Sequence, residues 1–90
     1  MPTDTSVPTE AQTARLALRR ARAGRDLTQA ALAEIVSATR GHIAAIEGGT
    51  RLISRGLASR VATVLGIPLA DLEPIIGAGN RAGIRARDVA

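Results

Sequence analysis

The stretch Leu27–Gly49, LTQAALAEIVSATRGHIAAIEGG, decides the fold. Thr28 suits an N-cap, because its hydroxyl can accept from a backbone N–H in the first turn of a helix. The residues after it, Gln29–Val36, place Leu32, Ala33 and Val36 on one helical face. Ser37-Ala38 reads as a short turn, and Thr39 is a second N-cap. It opens a helix over Arg40–Glu47 whose inner side carries Ile43 and Ile46. Gly48-Gly49 stops that helix. Two short helices joined so tightly cross steeply, and the second protrudes with only its inner face apolar. Small side chains are needed where the pair nearly touch; Ala33 and Ala38 supply them.

The flanks extend the same pattern. Ala11–Gly24 reads as a helix with Ala14, Leu18 and Ala21 on one face and Arg15, Arg19 and Arg22 elsewhere around it. Gly24 is expected to end it. Thr50–Ile53 reads as a loop. Ser54 caps a helix over Arg55–Leu65, with Leu57, Val61, Val64 and Leu65 inward. Gly66 closes it, and Ile67 packs back. Pro68 suits the first turn of a short fifth helix through Leu72, which Pro74 ends or bends. No strand pattern competes. The expected fold is all-α, a compact five-helix domain over 11–76 between a disordered tail, 1–10, and a flexible one, 77–90.

Composition narrows the chemistry. The chain has 90 residues, enough for one small core. It has no cysteine and one histidine, His42, so neither a thiolate metal site nor a histidine cluster can form. No carboxylate pair or nucleophile–base pair can be assembled, so no catalysis and no cofactor are expected. No leader-like segment and no apolar run of ~20 residues is present; a cytoplasmic protein without membrane contact is the expectation. All 12 basic residues are arginine. Nine of them lie in Thr13–Arg60 against Asp26, Glu34 and Glu47, a local net of +6 within an overall +4. Such concentration suits a phosphate-facing surface, and equally a solvated arginine face. Aromatic residues are absent, which argues against single-strand binding by base stacking.

Arg22, Leu27-Thr28-Gln29, Leu32-Ala33, Thr39-Arg40, Ile43, Ile46-Glu47, Gly49, Ala62 and Leu65-Gly66-Ile67 together resemble the Cro/C1-type (XRE) helix-turn-helix family. The register holds from Leu18 to Leu72, about sixty per cent of the chain. The resemblance implies a five-helix, lambda-repressor-like domain that binds double-stranded operator DNA, often as a dimer. It implies roles for residues in turn. Gln29 would contact a phosphate and buttress the helix that reads DNA. Thr39 would cap that helix and offer its hydroxyl or N–H to a phosphate. Arg40 would bind guanine O6/N7 or phosphate. Gly41 stands where a base-reading side chain is usual, and can only admit close backbone approach. His42 lies on the flank. Ala45 replaces a long polar reader and can at most touch a thymine methyl. Arg51 and Arg55 would meet phosphates beyond the groove. Arg22 and Glu47 would form a structural ion pair that locks the reading helix to the first helix.

The implied function is transcription regulation, foremost as a repressor. Two alternatives share the fold. One is an antitoxin whose Pro74–Ala90 tail binds a toxin or forms a dimer. The other is an adaptor that contacts only proteins. For dimerisation, the segment Leu69–Ile76 is the candidate, because Ile75 and Ile76 lack an evident partner in a five-helix core; cover of the first helix is the alternative.

Overall fold

The computed structural model describes residues 8–77. The chain runs through α1 (Glu10–Gly24), α2 (Gln29–Val36), α3 (Arg40–Gly48), α4 (Arg55–Leu65) and a 3-10 helix (Leu69–Ile75). Residues 1–7 and 78–90, most of the two expected tails, lie outside the described residues.

Each α-helix starts where a side-chain hydroxyl satisfies a free backbone donor. Thr28 Oγ1 accepts from Ala31 N at 3.0 Å, Thr39 Oγ1 from His42 N at 3.0 Å, and Ser54 Oγ from Leu57 N at 3.2 Å. Thr9 does the same for Gln12, whose side chain returns the bond to Thr9 N, so α1 begins at Glu10 with a reciprocal capping box. The helices end less uniformly. Gly49 and Gly66 take left-handed backbone at the ends of α3 and α4, as glycine readily does. At the end of α2 the left-handed residue is Ser37, with φ 63°. After α1 it is Asp26, with φ 57°, so Gly24 does not end the helix by itself.

The core is aliphatic throughout. Leu18, Leu32, Ile43, Ile46, Ile53, Leu72 and Ile75 are among its fully buried side chains. Ala14, Ala33, Ala58 and Ala62 are buried between them and bring the helices close without aromatic volume. Ile67 and Ala38 pack against this core from its edge.

Thr50–Ile53 is not wholly a loop. Ile53 is fully buried and forms an isolated parallel bridge with Ile76. Its N–H donates to Ile75 O at 2.9 Å, and its carbonyl accepts from Gly77 N at 2.8 Å. A buried residue must pair both backbone groups, and here the partner strand-like segment is supplied by the far end of the domain. The fifth helix is a 3-10 helix that continues past Leu72 to Ile75, with Pro74 inside it. Burial of Leu72 and Ile75 offsets the donor that Pro74 lacks. Finally, Ile75 does have a partner: it is 1% exposed in the core of its own chain. It is unavailable to a second subunit, so the dimer argument built on it fails. Among the described residues there is no named strand, and no helix is long and apolar enough to cross a membrane.

Candidate functional site

α2 and α3 pack against each other, and Leu32, Ala33 and Val36 of the one and Ile43 and Ile46 of the other belong to the same buried cluster. The turn between them is tight: Ala38 N donates to Ala33 O at 2.8 Å. Left-handed Ser37 reverses the chain, and extended Thr39 starts the next helix. The start of α3 is left open: Thr39, Arg40 and Gly41 are exposed. His42, Ala44 and Ala45 are half-buried along its flank. A Cβ added at Gly41 would meet nothing within 4 Å, so this side of α3 is free of other protein. The arrangement offers a guanidinium, a threonine hydroxyl and bare backbone at one helix N-terminus.

The other end of α3 is clamped. Glu47 is buried, and its carboxylate accepts Arg22 Nε at 2.7 Å, Arg22 Nη2 at 2.9 Å and Gln29 Nε2 at 3.0 Å. Arg22 also donates Nη1 to Leu27 O at 2.8 Å. One planar guanidinium therefore joins α1, the α1–α2 turn and α3. Its pKa is raised above the ordinary arginine value by the hydrogen bond to Glu47, reinforced by Coulomb attraction and opposed by desolvation. A charge-assisted fork of this kind fixes orientation as well as position.

The expected contact residues thus divide into three places. Thr39, Arg40, Gly41 and His42 gather at the start of α3. Gln29 stands at the opposite end, since Glu47 lies about 10 Å along the helix from Arg40 at 1.5 Å per residue. Its amide nitrogen is committed to Glu47. Arg51 is exposed in the loop after α3. Arg55 opens α4, but its guanidinium makes a two-bond contact with Glu73 at 3.0 and 3.1 Å.

Two further arginines serve the scaffold. Arg25 Nε donates to Leu65 O at 3.3 Å, and Arg60 Nε donates to Val36 O at 3.1 Å. Each guanidinium covers the last carbonyl of a helix, where a cation also suits the helix dipole. These two contacts and the Arg55–Glu73 pair are beyond sequence reasoning. Nothing local marks residues separated so far along the chain. Among the described residues no three potential metal ligands are gathered.

Two short packed helices, a tight turn, a buried clamp at the end of the second helix and an exposed start are the parts of a helix-turn-helix. Residues 8–75 match the family model described as "Helix-turn-helix domain". The chain belongs to the helix-turn-helix domain family. Among solved structures, it is similar to the clp gene regulator ClgR from Corynebacterium glutamicum, with 30% identity, 90% of this chain and 85% of that chain covered, and a TM-score of 0.64. No curated protein matches. The fold is that of an all-α helix-turn-helix DNA-binding protein.

Proposed function

We propose that this chain is a sequence-specific, double-stranded-DNA-binding transcriptional regulator of the Cro/C1 type, acting as a repressor in the cytoplasm. The observation that carries the reading is the asymmetry of α3. Its far end is fixed to the scaffold through Glu47, while Thr39, Arg40 and Gly41 project from its start. A duplex major groove, ~12 Å wide, admits a helix presented in this way.

In that pose Arg40 reads guanine O6/N7 with two hydrogen bonds. Thr39 and the first-turn N–H groups of α3 hold a phosphate, and Gln29 does so at the start of α2 while keeping Glu47 in place. Gly41 admits the DNA close to the helix backbone. His42 flanks the groove, and Ala45 can meet a thymine methyl. Arg51 contacts the phosphate strand beyond the groove. With one strong reader, sequence preference also draws on groove shape and deformability. Operator occupation by such a domain blocks access to the promoter, which is repression. Where two copies bind one palindrome, their contact must use a surface other than Ile75.

Equilibrium binding to duplex across a salt series tests this reading. In this reading Arg40, Arg51 and Arg55 are the cations that neutralise phosphate or enter the groove. Log K is expected to fall with log salt at a slope of about −2 to −3 per protomer from these side chains. Absence of duplex binding, or binding indifferent to salt, refutes it.

A further inference from the structure

Arg55 is the first residue of α4, directly after the loop that carries Arg51. Its side chain is exposed, as is that of Arg51, and in the DNA-bound reading both meet phosphates. Yet both terminal nitrogens of Arg55 already hold an anion. Nη1 donates to Glu73 Oε2 at 3.0 Å and Nη2 to Glu73 Oε1 at 3.1 Å. A carboxylate gripped by a guanidinium fork has the same donor geometry that a phosphate would take.

The backbone prepares this contact. The bridge between Ile53 and Ile76 ties the α3–α4 loop to the end of the 3-10 helix. Glu73 is thereby carried to the start of α4. A cation at a helix start meets the positive end of the helix dipole, so a carboxylate beside it is doubly favoured. Both side chains remain accessible, at 57% for Arg55 and 47% for Glu73. The pair is therefore exchangeable: no packing must be broken to open it.

We propose that Glu73 is an internal competitor for Arg55, an anion held in the place of a DNA phosphate, which lowers the affinity of the domain for any duplex. The inference rests on the DNA-binding reading above. On binding, Arg55 leaves Glu73 for a phosphate oxygen, and Glu73 is released to solvent beside the polyanion. Both consequences oppose binding, and neither depends on base sequence. Nine arginines in Thr13–Arg60 give this small domain a strong general attraction to DNA. A built-in competitor at one of the phosphate contacts damps that attraction without touching Arg40. The residue acts on DNA through Arg55 and is not itself a contact residue.

The test measures binding of the full chain to a random-sequence duplex by fluorescence anisotropy. Glu73→Gln removes the competitor. Asp71→Asn removes the same charge from the same 3-10 helix, where the exposed Asp71 forms no ion pair among the described residues. It therefore reports the long-range field alone. Glu73→Gln is expected to tighten binding about two- to fivefold, the range equivalent to an exposed pair, and by more than Asp71→Asn. In an Arg55→Ala background the excess over Asp71→Asn disappears. Arg55→Ala by itself weakens binding and flattens the salt slope by about 0.9. Far-UV circular dichroism of every variant checks that the fold is kept. Equal effects of Glu73→Gln and Asp71→Asn, an excess that survives without Arg55, or weaker binding by Glu73→Gln would each overturn the inference. Failure of the unaltered chain to bind duplex at all would instead refute the functional reading beneath it.

Discussion

Replacing Arg22 by alanine should remove at least a third of the domain's stability, because it strands a buried charge. The Glu47 side chain is 2% exposed and that of Arg22 16%. In the native chain the carboxylate has two bonds from the guanidinium and one from Gln29. Without Arg22 it keeps only the amide of Gln29, and Leu27 O loses its donor as well. Breaking a buried pair from one side costs ~3–5 kcal/mol. A domain of about 70 residues has a total stability of ~4–10 kcal/mol. The loss is thus between a third and all of it, and a melting temperature lower by at least ~12 °C follows. Urea unfolding followed by circular dichroism measures the difference by linear extrapolation. The double variant Arg22→Met with Glu47→Leu removes both charges and fills the site with apolar volume. It should recover most of the loss, since buried pairs add little over well-packed hydrophobic residues. An Arg22→Ala variant within ~1 kcal/mol of the parent would refute the reasoning, for it lies below the cost of any stranded charge. So would a double variant no more stable than the single one.

Three other changes have outcomes that follow from named positions. Gly41→Ala should raise stability by up to ~1 kcal/mol through helix propensity, with open space for the new methyl; duplex affinity should fall if the backbone at Gly41 lies against DNA, and a gain in both would place DNA elsewhere. Ile53→Ala should cost ~2–5 kcal/mol in chemical denaturation, as for a fully buried aliphatic side chain, whereas a surface-loop residue would cost almost nothing. Ser37→Gly relieves left-handed strain of ~1–2 kcal/mol against an added backbone entropy cost of ~0.5–1 kcal/mol, so the melting temperature should rise slightly.

The helices were legible because their signals are local. Thr28, Thr39 and Ser54 each precede an apolar periodicity, and in the structure each hydroxyl caps the helix that follows it. Leu18, Leu32, Ile43, Ile46 and Leu57 fall at helical spacing and are buried. Ile53 was missed because what buries it, the Ile75–Gly77 backbone, is remote in sequence. Asp26 and Ser37 were missed as left-handed residues because that conformation is read first from glycine, and these positions are held by surrounding hydrogen bonds instead. The same limit applies to the site. The Arg22–Glu47 pairing was reachable through a family resemblance, since both residues stand at marked positions. The uses of Arg25, Arg55 and Arg60 were not. In a chain whose cations are all arginine, residue type cannot say which one covers a carbonyl, which one meets a carboxylate and which one is left to solvent. Only the packing of α2, α4 and the 3-10 helix distributes them.

Sequence-specific duplex binding is proposed to come from the exposed start of α3. Selection of bound duplexes from a random pool, with the unaltered chain and Arg40→Ala side by side, tests it most directly. The unaltered chain is expected to enrich a defined site containing guanine. Arg40→Ala is expected to lose ~1–3 kcal/mol on that site while its binding to random duplex changes far less. A pool that stays unenriched, or an Arg40→Ala variant that selects the same site with the same affinity, would contradict it.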